Sequence, residues 1–377
     1  MTLIYLVAGE SSGDVLGARL MAALRARRPD LAFAGIGGAH MAAEGLASRF
    51  PLEELALMGL LEVLPRLRHL RRRLAETATD IATRRPAVLV TIDSPGFTLR
   101  LLRAVAPLGI PRAHYVAPQV WAWREGRVRH YPGLWDRLLC LLPFEPAFFA
   151  RHGLPATFVG HPVLESGADH GDGERFRARH GLSADARVVT VMPGSRRTET
   201  SRLLPLLTAT FAQLPDLVPV VPLAGPVAET VRAATRSWPV PPILVAEPAD
   251  KYDAFAASAA ALTKSGTSTL ELALADVPML VAYRVNQLTA SLARLTVKVR
   301  YASLLNLLSD RELVPELIQE ICTPPRLTEG LRRLLSDPQA AETQRAGFRT
   351  VLDTLRPPAG LPSEAAAESV LELLDQA

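Results

Sequence analysis

Met1-Thr-Leu-Ile-Tyr-Leu-Val-Ala-Gly9-Glu10-Ser11-Ser12-Gly13-Asp14 opens the chain with an apolar, β-branched run that stops at a glycine and passes through small polar residues into an amphipathic pattern. This order predicts a buried strand, a tight turn and the first turn of a helix. Such a unit presents backbone N–H groups at the carboxyl edge of a sheet, where α/β proteins hold ligands. A secretory leader would need a cationic segment ahead of the apolar run, and none is present, so the run is read as a strand.

Three other readings of the same letters compete. Gly9-Glu10-Ser11-Ser12-Gly13 satisfies G-x-S-x-G, the nucleophile elbow of α/β-hydrolases with Ser11 as nucleophile. An elbow normally follows several strands and needs an oxyanion hole from an earlier loop, which a turn this close to the start does not have. A dinucleotide site is disfavoured because the spacing is not G-x-G-x-x-G and the second strand ends in Gly35-Ile36-Gly37-Gly38, without an acidic residue for a ribose. The structural alternative is that Ser12 and Asp14 cap the helix.

Outward from this unit, short apolar runs alternate with helical patterns, the mark of a parallel sheet covered by helices. Strands are predicted at Leu3–Ala8, Ala32–Ile36, Val88–Ile92, Ala113–Val116, Leu138–Leu141 and Thr157–Val159. The stretch from Glu165 to Ser183 lacks an apolar stripe and reads as a linker. A second series follows at Arg187–Met192, Val218–Pro222, Ile243–Val245, Ala259–Leu262 and Met279–Ala282. The expectation is an α/β protein of GT-B architecture, two Rossmann-like domains with parallel sheets facing a central cleft. The domains are placed at 1–170 and 184–344, with a C-terminal helical segment of about 345–377 packing back on the first. A length of 377 residues suits two cores.

Bulk composition narrows the function classes. A formal charge of +4 is too small for a non-specific nucleic-acid binder. Lys251, Lys264 and Lys298 are the only lysines, so arginine carries most of the positive charge. Cys140 and Cys322 make neither a disulfide framework nor a zinc site, and no apolar run is long enough to span a membrane. His40, His114, His130 and His161 lack metal-ligand spacing and no D-x-D motif occurs, so neither metal nor cofactor is expected.

Four further segments carry candidate chemistry. Asp93 ends a strand and precedes Ser94-Pro95-Gly96-Phe97, which suits a general base on a stiff turn or, equally, an Asx-turn. Pro193-Gly194-Ser195-Arg196-Arg197 reads as a strand–loop–helix phosphate cradle, with an ordinary N-cap as the alternative. Lys264-Ser265-Gly266-Thr267-Ser268-Thr269-Leu270-Glu271 repeats that geometry. There Ser268 and Glu271 match a capping box, while Glu271 is also placed for ribose hydroxyls. Finally, Leu57–Leu64 followed by Arg66, Arg68, His69, Arg71, Arg72 and Arg73 is either a solvated helix or one lying on an anionic membrane.

These segments, in this order from Gly9 to about Gln319, resemble the lipid-A-disaccharide synthases. The resemblance also takes in Met41–Gly45, Leu57–Leu64, Tyr115-Val-Ala-Pro118-Gln119-Val-Trp121-Ala-Trp123-Arg124, Leu142-Pro-Phe-Glu145, Gly160-His161-Pro162 and Tyr283-Arg284. It implies an inverting glycosyltransferase that joins UDP-2,3-diacylglucosamine to 2,3-diacylglucosamine 1-phosphate. The products would be the β(1→6) disaccharide and UDP, in lipopolysaccharide biosynthesis. It implies catalytic roles for Asp93, as base toward the acceptor 6-hydroxyl, and Glu10. Ser12, Gly13, Gln119 and Trp121 would line the acceptor side. Gly194, Ser195, Arg196, Ser265, Gly266, Thr267, Glu271, Tyr283 and Asn306 would hold the donor. Leu57, Met58, Leu60, Leu61, Leu64, Arg68, Arg71 and Arg72 would touch lipid on the cytoplasmic face of the inner membrane, making the protein cytoplasmic and peripheral. A homodimer is left open, and nucleic acid is not a partner. Leu305 stands where the family usually has Pro, and Gln119 and Arg197 where smaller residues are common. The alternatives are a UDP-N-acetylglucosamine epimerase or related transferase, a hydrolase built on Ser11, and a non-catalytic lipid-binding protein.

Overall fold

Among the described residues, twelve strands form two six-stranded sheets, every pairing parallel. The computed structural model describes residues 2–55, 60–286, 290 and 296–376, with side chains at all of these except 60–66 and 248. The first sheet contains β1 (Thr2–Ala8), β2 (Leu31–Ile36), β3 (Val88–Ile92), β4 (Arg112–Tyr115), β5 (Arg137–Cys140) and β6 (Ala156–Phe158), ordered β2-β1-β3-β4-β5-β6. The second contains β7 (Arg187–Met192), β8 (Leu217–Pro222), β9 (Ile243–Val245), β10 (Ala260–Thr263), β11 (Met279–Tyr283) and β12 (Glu316–Ile318), ordered β12-β11-β10-β7-β8-β9. The central strands are buried along nearly their whole length, as expected of strands covered on both faces.

The chain divides into two compact units, Met1–Pro162 with Leu355–Ala377, and Val163–Thr354. In the first unit the helix Ser11–Arg27 lies against the C-terminal helix Pro362–Asp375, whose Ala366, Ala367, Val370 and Leu373 join the core of that unit. Arg137, at the start of β5, pairs with Glu372 of the C-terminal helix at 3.1 Å.

The boundaries differ from the sequence expectation at three places. The expected linker Glu165–Ser183 contains a helix, Gly173–Arg179, capped by Asp172 and held to the second unit by buried Phe176 and by an Arg175–Asp253 ion pair at 2.6 Å. Seven residues burying one aromatic side chain leave no apolar stripe to read. The crossing back begins at Leu355 rather than near 345, because the helix Pro338–Thr354 belongs to the second unit. There the buried Gln344 side chain accepts from Met279 N at 2.7 Å and donates to Met279 O at 3.1 Å. The edge strand β12 was not among the expected strands: it starts on a glutamate and is only partly buried, so no apolar run marks it.

Among the described residues, no helix is long and apolar enough to cross a membrane. Leu57 and Met58 lie outside the described residues, as do the side chains of Leu60, Leu61 and Leu64. The helix Leu60–Arg84 carries Arg68, Arg71 and Arg72 on its exposed side, and Arg72 pairs with Glu76 at 3.0 Å. Its other side docks on the first unit through partly buried Leu70 and Leu74 and through Asp80, which accepts from Tyr5 OH at 2.8 Å.

Candidate functional site

In each sheet the strand order reverses once, between β1 and β3 in the first and between β7 and β10 in the second. Open α/β sheets bind ligands outside the carboxyl ends of the two strands at that reversal. The four loops leaving those ends are Gly9–Gly13, Asp93–Ser94, Pro193–Arg196 and Lys264–Thr267, which carry most of the candidate residues.

In the first unit Ala8 pairs with Ile92, so Gly9 and Asp93 leave the sheet side by side. Asp93 and Ser94 have φ of +53° and +46°, and Val116, at the end of neighbouring β4, has +77°. Left-handed backbone at consecutive non-glycine residues, and above all at a β-branched one, costs about 1–3 kcal/mol each and concentrates at functional sites. The strain is over-determined locally: Asp93 N donates to Tyr115 O at 2.8 Å, Val116 N to Leu139 O at 3.1 Å, and Thr98 Oγ1 to Asp93 O at 2.7 Å. Burial raises the Asp93 carboxyl above the usual carboxylate range, although Ser94 N donates to Oδ1 at 2.7 Å. The result is a desolvated carboxylate with only one oxygen engaged among the described residues, the arrangement a general base requires.

Glu10 is half-buried at the N-cap of the helix Ser11–Arg27, Ser12 is exposed and Gly13 is packed against Ile92. The capping reading of Ser12 and Asp14 is corrected: the helix has no side-chain cap. Buried Asp14 instead accepts from Gly38 N, Met41 N and His40 N at 2.7, 3.0 and 3.0 Å, tying the loop after β2 to this helix. Gln119 is exposed. The Trp121 indole N–H is committed to Glu145 Oε1 at 3.0 Å, so it has no hydrogen bond to give an acceptor sugar, and only its ring face remains. Glu145, which the family resemblance takes in without a role, is buried and also accepts from Leu141 N and Leu142 N at 3.1 and 3.0 Å. Burial outweighs these donors and pushes its carboxyl up to about 7.

In the second unit Lys264 N donates to Met192 O, which sets the loops after β7 and β10 against each other. Gly194 has φ +106°, and Ser195, Arg196 and Arg197 are exposed at the start of the helix Arg197–Phe211. One turn in, buried Glu199 faces Arg196 Nη1 at 3.7 Å, Lys264 Nζ at 3.0 Å and Tyr283 OH at 3.3 Å. Burial, then Glu199, raises the Tyr283 hydroxyl above its ordinary value. Glu199 and Lys264 were not among the expected site residues; the available signal was an acidic residue one turn into a helix whose first turn is cationic.

The capping box at Ser268–Glu271 does not form, since Thr267 is the N-cap and makes no side-chain cap. The Glu271 carboxylate is held by Lys251 Nζ at 2.8 and 2.9 Å and by Tyr252 OH at 3.2 Å. Ser265 Oγ donates to Ala302 O at 2.6 Å, and Gly266 keeps this loop free of a side chain. Asn306 lies in the interior of the second unit. It is fully buried, donates to Val314 O and Glu316 Oε1 at 2.8 and 2.9 Å, and accepts from Leu313 N and Val314 N at 2.8 Å each. All four of its side-chain hydrogen bonds are spent inside the unit, leaving none for a donor.

Residues 4–370 match the family model described as lipid-A-disaccharide synthetase. The chain belongs to the lipid-A-disaccharide synthetase family. A lipid-A-disaccharide synthase of Gluconobacter oxydans is 57% identical, over 99% of this chain and 91% of that protein. The family's reaction joins UDP-2,3-diacylglucosamine to 2,3-diacylglucosamine 1-phosphate and releases UDP, and the chain is a glycosyltransferase of that reaction in lipid A biosynthesis. Its fold is GT-B. A UDP-GlcNAc 2-epimerase from Neisseria meningitidis superposes with a TM-score of 0.66 at 13% identity, covering all of both chains. The calicheamicin glycosyltransferase CalG4 does so at 0.59 and 17%, over 100% of this chain and 99% of that one.

Proposed function

We propose that Asp93 takes the proton from the acceptor 6-hydroxyl as that oxygen attacks the anomeric carbon of the donor, with Glu10 beside it. The observation that carries this reading is the strained Asp93–Ser94 turn interlocked with Gly9, which holds a desolvated carboxylate at the sheet reversal. The new C–O bond forms as the bond to the UDP oxygen breaks, and UDP leaves with the electron pair. Arg196 and the N–H groups opening the helix Arg197–Phe211 meet the charge that grows on it, the task a metal ion performs in other transferases. Glu271, held in place by Lys251 and Tyr252, accepts from the ribose hydroxyls. The acylated acceptor approaches the first unit from the cytoplasmic face of the inner membrane, drawn by Leu57–Leu64 and by Arg68, Arg71 and Arg72.

UDP release is measured from UDP-2,3-diacylglucosamine in detergent micelles containing chelator, with and without 2,3-diacylglucosamine 1-phosphate. Release that needs the acceptor, yields disaccharide and is indifferent to chelator is expected. Release without acceptor would replace transfer by hydrolysis or epimerisation, and loss of activity in chelator would put a metal in the mechanism.

A further inference from the structure

We propose that Lys264 is a second cation on the donor diphosphate and that Glu199 is the positioning residue that holds Lys264 and Arg196 for it, an inference that rests on the donor reading above. The two cations leave neighbouring strands, Lys264 after β10 and Arg196 after β7, at the reversal of the second sheet. Their charges would repel if nothing stood between them. Glu199 stands there, its side chain only 7% exposed, with Lys264 Nζ at 3.0 Å and Arg196 Nη1 at 3.7 Å.

A buried carboxylate is costly unless it is both paired and hydrogen-bonded. Glu199 is paired, but its hydrogen bonding is incomplete. Lys264 Nζ lies 3.0 Å from Oε2 as an ion pair, and that buried oxygen has no aligned hydrogen-bond donor among the described residues. An ammonium has three N–H bonds, so pairing with one carboxylate oxygen leaves N–H bonds for a further acceptor. Gly194 completes the arrangement. Its left-handed backbone carries no side chain, so the Lys264 stem lies across it with Cδ 3.2 Å from where a Cβ would stand. Two cations against one carboxylate leave a net charge of +1, to which the amides opening the Arg197–Phe211 helix add, and an anionic diphosphate suits that deficit. A simple loop clamp would explain the Lys264–Glu199 pair, but it would need neither the third charge nor the place at the sheet reversal.

The test compares UDP with uridine, which lacks the phosphates, by titration calorimetry on the full chain. Lys264→Met keeps the stem and removes the charge. It is expected to weaken UDP by about tenfold or more, as for a lost charged hydrogen bond, with uridine unchanged and Lys264→Arg restoring most of the affinity. Glu199→Gln should weaken UDP several-fold, and the Lys264→Met/Glu199→Gln pair should lose less than the product of the two single losses, because part of what Glu199 does goes through Lys264 and the rest through Arg196. If Glu199→Gln does not fold, the UDP-to-uridine ratio of Lys264→Met decides. Arg196→Ala separates the two layers. Selective loss of UDP in Arg196→Ala but not in Lys264→Met overturns this inference alone, and no selective loss in either overturns the donor reading together with it.

Discussion

Ser94 occupies the space in which a side chain at Gly9 would begin: a Cβ on residue 9 would fall 2.2 Å from Ser94 Cβ and 2.5 Å from its Oγ. The turns after β1 and β3 are thereby interlocked, and the position of Asp93 depends on the absence of a side chain on the neighbouring strand's loop, far away in the chain. Gly9 thus serves the site by what it lacks.

Gly9→Ala should displace the Asp93–Ser94 turn. Overpacking of this kind costs about 1–3 kcal/mol, so thermal melting is expected to show a folded but less stable protein. Its kcat should fall sharply while UDP affinity, a property of the second unit in this account, stays as in the parent. Parent-like kcat in Gly9→Ala would mean that the turn need not be held.

Asn306→Ala separates a structural from a ligand-binding role. Losing a fully buried side chain with four hydrogen bonds should cost about 3 kcal/mol or more, seen as a lower midpoint in urea, with UDP affinity of the folded protein unchanged. An unchanged midpoint with weaker UDP binding would return Asn306 to the donor site.

Buried ionisable groups set the acid response of the first unit. Burial lowers His114 and His161 from 6.5 to about 4. The unfolded chain therefore binds more protons between those values, and stability present above pH 6.5 is lost as pH falls toward 4. Glu145 acts in the opposite sense: raised from 4.5 to about 7, it favours the fold below pH 4.5 and loses that contribution as pH rises to 7. Asp93, also raised by burial, acts in the same sense as Glu145; where the two histidines prevail over these carboxyls, urea midpoints fall from pH 6.5 to 4. His114→Asn should flatten the fall by about 2–3 kcal/mol and Glu145→Gln should steepen it. No change of slope in either variant would remove these groups from the acid response.

The sheets were legible because their central strands are buried on both faces and so read as unbroken apolar runs, Leu3–Ala8 and Val88–Ile92 most plainly. Loops at the carboxyl ends of those strands were legible for the same reason, which is how Asp93 and Pro193–Arg196 were found. What escaped depends on partners distant in sequence. Glu199 is an ordinary helix residue until Lys264 and Tyr283 are brought to it, and Asn306 looks like a ligand contact until Val314 and Glu316 close around it. Asp14, placed like a cap of its own helix, turns out to secure the next loop, because three amide N–H groups there outcompete the local ones.

The central claim is that Asp93 removes the acceptor proton, and the direct measurement is UDP release by Asp93→Asn against the parent, with UDP affinity and melting recorded on the same samples. Asparagine keeps the shape and cannot accept the proton. A fall of about 10²–10⁴ in kcat, with UDP affinity and melting temperature unchanged, is the expected result. In the parent, the acid limb of kcat/KM should lie above the ordinary carboxylate range, because the raised carboxyl must lose its proton to act. Turnover by Asp93→Asn at close to the parent rate would contradict the account.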